Sequence, residues 1–142
     1  MKYCVLLFVL MCMAGCNASS TGISAEIAQH FQSSGRTLVN LPEVVTIPWD
    51  RVCILGPYSN NDSAKTTLGF DWDAESKTSI QTNEGITVLL FVKDQTIVEF
   101  VEHLRINGDF ANLSRQCFAR EKAMFAHQVN PKKGWPGLFP KE

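Results

Sequence analysis

The residue pattern specifies an α+β domain, with an antiparallel sheet of about four strands and two helices packed on one face. Three observations lead there. Ile86–Val92 (ITVLLFV) and Thr96–Leu104 (TIVEFVEHL) are β-prone runs separated only by Lys93-Asp94-Gln95, which reads as a hairpin. Ile23, Ile27 and Phe31 recur at every fourth position, which gives a helix one apolar face. The order α, β, α, β, β, β lacks repeated strand–helix–strand crossovers, so the sheet is antiparallel with helices set against it.

Taken in chain order, Ile23–Ser34 forms the first helix, with Ser24 as a capping residue and Gly35 as the stop. Thr37–Leu41 is a short edge strand within an irregular stretch that holds Pro42 and Pro48. Arg51–Leu55 (RVCIL) is a buried strand closed by Gly56-Pro57. Residues 59–61 offer several N-caps for a two-turn helix over Asp62–Leu68, which Gly69 ends. Phe70–Asn83 is polar and acidic, a loop or a weak strand. After the hairpin, Asn107-Gly108-Asp109 turns the chain, with a helical turn through Leu113. Gln116–His127 predicts the last antiparallel strand. The segment 131–142, rich in proline and glycine, is a docked or mobile tail behind a single domain at 23–130.

The N-terminus, MKYCVLLFVLMCMAGC, places Lys2 before an unbroken apolar run from Cys4 to Ala14. As a helix that run spans roughly 17 Å at ~1.5 Å per residue, short of a hydrocarbon core of about 30 Å. It has the dimensions of a signal-peptide core. The run ends in Met13-Ala14-Gly15-Cys16, and there the chain resembles a bacterial lipoprotein precursor, whose cleavage box is an aliphatic residue, a small residue, Gly or Ala, then Cys. The resemblance implies removal of residues 1–15 and acylation of Cys16, which anchors the domain at a membrane through the tether 16–22. Asn17 after the cysteine implies outer-membrane sorting, facing the periplasm. The plainer alternative is a secretory signal cleaved near Ala14 or Ala18.

Cysteine arithmetic follows from that reading. Cys4 and Cys12 leave with the leader and Cys16 is acylated, so Cys53 and Cys117 remain as a pair. An oxidising periplasm favours a disulfide between them over two separate buried thiols. Closing so long a loop is worth about 4 kcal/mol in the chain-entropy account.

Composition sets the function classes. Thirteen basic against fourteen acidic residues give a net charge of −1, which excludes a nucleic-acid-binding surface on bulk charge. His30, His103 and His127 are scattered over three elements, without the close ligand pair a metal site needs. Asp71, Asp73 and Glu75 alternate like the start of a calcium loop, but Ser76 and Thr82 stand where glycine and glutamate are required, so the segment is a solvated acidic turn. There is no Gly-x-Ser-x-Gly and no glycine-rich phosphate loop. No catalytic residue, metal ligand or cofactor is assigned. Glu102 lies either on an exposed edge or against a base such as Arg51 or Arg105.

Aromatic residues carry the remaining signal, because they give large contact area at small entropic cost. Trp49 and Phe70 suit the core. Tyr58 and Trp72 adjoin turns, and Trp135 sits in the tail, so these three are the candidate binding residues. The stretch Trp49–Trp72, a strand, Gly-Pro-Tyr, a short helix and Leu-Gly, is similar to a pattern in small bacterial lipoproteins of no known activity. The helix ending in Leu-Gly before antiparallel strands is more loosely similar to lipoproteins of outer-membrane protein assembly, which open on two adjacent helices. The expectation is a non-catalytic, membrane-anchored accessory or assembly factor that binds an envelope protein. The alternative is an inhibitor or small-ligand-sequestering lipoprotein.

Overall fold

The computed structural model describes residues 20–142. Cys16, the leader and the start of the tether lie outside the described residues. Among the described residues the architecture is α+β, with four α-helices and two antiparallel sheets. Helix α1 spans Ser20–Ser33, so it begins inside the segment expected to be tether. Ile23, Ile27 and Phe31 are buried on one face of it. Gly35, at φ 71°, lets the chain leave the helix, and the Arg36 amide closes back on the Phe31 carbonyl at 2.9 Å.

Strand β1 (Leu38–Asn40) runs into the single turn α2 (Leu41–Val44), and β2 follows at Arg51–Leu55. Helix α3 (Asn61–Leu68) is capped by Asn60, whose side chain accepts from the Ser63 amide, and stops at left-handed Gly69. A short helix, α4 (Ala74–Lys77), occupies the expected loop. Asp73 caps it by accepting from the Ser76 amide, and its hydrogen bonds to Ser76 hold its carboxyl below the ordinary value. Strands β3 (Ile86–Lys93) and β4 (Thr96–Leu104) form the predicted hairpin.

The expected strand over Gln116–His127 is two strands in two sheets. Strand β5 (Cys117–Ala119) pairs with β2, a 3-10 turn at Arg120–Lys122 redirects the chain, and β6 (Met124–Gln128) pairs with β1. Arg120 fixes the crossing: its amide donates to Asp50, its guanidinium donates to the Ile47 carbonyl at 3.1 Å and lies 4.7 Å from the Trp49 ring centre. The tail is docked, because Gly137–Pro140 is β7, paired with β6. The sheets are ordered β4-β3-β2-β5 and β1-β6-β7.

Two apolar clusters lie on opposite faces of the four-stranded sheet. Val52, Ile54, Leu89, Phe91 and Val101 face α1 and the three-stranded sheet, in a core with Trp49, Phe110 and Phe125. Leu55, Val88, Leu90 and Val92 face α3, α4 and Ile80. The expectation that both helices share one face is therefore corrected: α1 and α3 cover opposite faces. The cause is β3, in which every side chain from Ile86 to Val92 is buried. Glu102 is exposed and meets neither arginine; it accepts from the Ser79 amide at 2.6 Å and hydroxyl at 2.9 Å.

Cys53 and Cys117 are directly opposed on β2 and β5 and joined by a disulfide, 64 positions apart in the chain. His103 on β4 is fully buried and ties three segments together. Its Nε2 lies 3.2 Å from the Asn107 carbonyl, which only accepts, so Nε2 carries the proton. Nδ1 then accepts from the Ser24 hydroxyl at 2.9 Å. Ser24 is thus a helix-to-sheet link and not the cap of α1. Burial lowers the His103 pKa to about 4, against the opposing pull of the Asn107 carbonyl and the Asp109 charge.

Two outcomes follow for stability. Replacing both Cys53 and Cys117 by serine should cost about 2–4 kcal/mol in urea denaturation, with β5 and its crossing the first segment to lose amide protection. His103 should make the fold acid-sensitive. The unfolded chain takes up the imidazole proton near pH 6.5 and the folded one only near 4, so stability is full above pH 6.5 and falls as pH drops towards 4, by about 3 kcal/mol in all. Urea midpoints at successive pH values should show this loss, and His103→Gln should flatten it across that window.

Candidate functional site

Residues 77 positions apart in sequence meet at one cleft. Tyr58, in the turn after β2, and Trp135, just before β7, both line a cleft of about 310 Å³. Pro57, Glu84, Arg105 and Ala111 complete most of its wall. Tyr58 is 62% exposed and Trp135 50%, so neither ring serves as core. Trp72 is elsewhere. It is half-buried, packs edge-on against Phe100 at 5.3 Å, and lines a separate acidic depression with Asp62, Asp71 and Asp73. Two of the three expected binding residues therefore share a site and the third does not.

Local structure holds the Tyr58 side chain and the Trp135 backbone. Gly56–Ser59 is a β-turn closed by the Ser59 amide on the Gly56 carbonyl at 3.3 Å, with Pro57 second and Tyr58 third. Tyr58 has φ 66°, at a turn position that favours glycine or asparagine. A left-handed conformation costs a residue with a Cβ about 1–2 kcal/mol. The surroundings over-determine it: the Tyr58 amide donates to the Ile80 carbonyl at 2.9 Å and the hydroxyl donates to Glu84 Oε2 at 2.8 Å. The bond to Glu84 also pushes the phenol pKa above its ordinary value. Trp135 is held by its backbone, whose carbonyl accepts from Asn112 Nδ2 at 2.8 Å while its amide donates to Asn112 Oδ1 at 3.3 Å.

The floor is equally fixed. Arg105 donates from Nε and Nη2 to the two carboxylate oxygens of Asp109, at 3.0 and 2.9 Å, and from Nη1 to the Glu84 carbonyl at 2.8 Å. The Asp109 hydrogen bonds raise the Arg105 pKa, so its charge is permanent. The Gly56 amide donates to Ser114 Oγ at 2.9 Å, and a Cβ on Gly56 would stand 2.6 Å from that oxygen. Glycine is required there by close approach.

Family models, curated proteins and solved structures give no match. The cleft must be read from its own chemistry. Its polar groups, Glu84 and Arg105, are engaged by Tyr58 and Asp109, and neither cysteine nor histidine lines it. The Ser24–His103 pair does not line it, and the buried histidine is too weakly basic to activate a hydroxyl near neutral pH. Among the described residues no group of three or more His, Cys, Asp and Glu side chains is placed to hold a metal ion, and no helix is long and apolar enough to cross a membrane.

Tyr58 stands out in the sequence by its turn neighbours and Trp135 by its place in the tail, whereas Glu84, Asn112 and Ser114 carry no signal. Glu84 sits in a polar loop and Asn112 and Ser114 in and after the 3-10 turn Ala111–Leu113, none within a motif, and only the closed fold brings them to the aromatics. From the sequence Arg105 is only one possible base for Glu102, and nothing there points to its bond to Asp109. Gly56→Ala should lower stability by about 1–3 kcal/mol in urea denaturation, because Ser114 Cβ lies as close as its hydroxyl and no rotation relieves the overlap. Adding Ser114→Gly should recover part of the loss.

Proposed function

We propose that this chain is a lipid-anchored accessory domain of the bacterial cell envelope, acting by binding a protein partner and not by catalysis. The observation that carries the reading is the pair Tyr58 and Trp135: two exposed aromatic rings brought from distant segments to one cleft, Tyr58 fixed through its hydroxyl and Trp135 through its backbone. Exposed rings cost solvation, and Tyr58 costs backbone strain besides. Preorganised aromatics of this kind lower the entropy lost on association. The Cys53–Cys117 disulfide supports an exported, oxidising location, and Met13-Ala14-Gly15-Cys16 supports acylation at Cys16, with the outer membrane as its destination.

A photo-reactive residue at exposed Lys133, beside Trp135, should give one defined protein cross-link in the intact envelope, and the same residue at exposed Lys77 should not. Trp135→Ala and Tyr58→Gly should each abolish the product; Tyr58→Gly relieves the turn and keeps the fold. A product unchanged by both substitutions, or no product, overturns the reading. Labelled palmitate should enter the native chain and not Cys16→Ser, and a bare Cys16 by mass spectrometry would remove the anchor.

A further inference from the structure

We infer that the cleft receives a basic side chain, lysine or arginine, from an exposed segment of the partner protein. This rests on the protein-binding reading above and adds the chemistry of the contact. Glu84 and Arg105 are the charged side chains that line the cleft. Arg105 already has its counter-ion in Asp109, bound through two parallel hydrogen bonds. Glu84 makes no ion pair of its own among the described residues, and its one side-chain hydrogen bond is the neutral Tyr58 hydroxyl on Oε2; it feels the Arg105 charge only at longer range, while Arg105 is bound to Asp109. Glu84, Asp109 and the one cation Arg105 therefore leave a net negative charge at the cleft.

The walls point the same way. The faces of Tyr and Trp rings are electron-rich and attract ammonium and guanidinium groups. The apolar stem of a lysine or arginine suits Pro57 and Ala111, while its charged end remains partly hydrated at Glu84. An anionic group would meet the net negative charge of Glu84, Asp109 and Arg105. A neutral apolar group would gain the ring contacts alone. At about 310 Å³ the space admits one long side chain and not a folded surface, so the donor is a projecting residue on an exposed loop or extended segment.

The test titrates the full-length mature protein, labelled with nitrogen-15 and held in detergent micelles. The probes are three end-blocked tripeptides, Gly-Lys-Gly, Gly-norleucine-Gly and Gly-Glu-Gly, followed through the Trp135 indole N–H signal. The lysine peptide should bind about fivefold or more tightly than the norleucine peptide, the scale of a ring-face contact joined to a charge. Glu84→Gln should erase that preference, and Glu99→Gln, on β4 and not among the cleft residues, should keep it. Equal binding of norleucine, or tighter binding of the glutamate peptide, overturns the inference. In the envelope, Glu84→Gln should also weaken the Lys133 cross-link about threefold or more. A cross-link undiminished in Glu84→Gln leaves the protein-binding reading intact and sinks the basic side chain. If the native chain gives no cross-link but retains the lysine preference in micelles, the cation site stands and the protein-partner reading falls.

Discussion

Strand β3 has no polar face. From Ile86 to Val92 every side chain is buried, and the two sets of alternating residues point into different cores. A strand of that kind is stable only with a layer on each side, because each buried Leu or Val contributes roughly 1.5–3 kcal/mol that exposure would forfeit. The rest of the architecture answers this requirement. Helices α3 and α4 close one face, and α1 with the three-stranded sheet closes the other. A small chain cannot cover a sheet twice with long helices, so it does so with short pieces: a four-residue helix, a three-residue strand and a returning tail.

Such pieces have little stability of their own, and the fold ties them by long-range bonds. Cys53 and Cys117 join β5 to the central β2 at the point where the chain is about to leave that sheet. Arg120 then holds the crossing, stacked on Trp49, whose own indole N–H donates to the Val45 carbonyl at 2.9 Å. His103 does the equivalent at the far edge, binding α1 through Ser24 and the turn through Asn107. These three anchors sit at β5, at the junction of the sheets and at β4, so none of the short segments depends on local propensity alone.

What the sequence disclosed follows the same division. Elements with strong local signals were legible: the hairpin, Arg51–Leu55 with its Gly-Pro stop, and the Asn-capped helix that ends at Gly69. The placement of the cysteines on pairing strands followed from parity and compartment. The second sheet was not legible. The short edge strand expected at Thr37–Leu41 stands at Leu38–Asn40, but Gly137–Pro140 is too short to show a period, and the two join one sheet only because β6 lies between them. The break at Arg120–Lys122 was hidden for a related reason: nothing in its composition distinguishes a sheet-to-sheet crossing from a strand. The unalternating run ITVLLFV, by contrast, did contain the information that both faces need cover, and the expectation of two helices on one face overlooked it.

The cleft is where local preference and the fold disagree. A Pro-Tyr turn with tyrosine at positive φ would be more stable with glycine or asparagine in that position, and an exposed tryptophan before a docked strand would be less costly as a polar residue. Both departures fall on the same cleft, and both are buttressed by side chains, Glu84 and Asn112, that do little else in the fold. Departures from local preference at unconnected positions read as accidents of packing. Two that converge on one cleft, each fixed by its own hydrogen bonds, are what recognition requires: the strain is carried by the folded domain in advance, so that less ordering remains to oppose association.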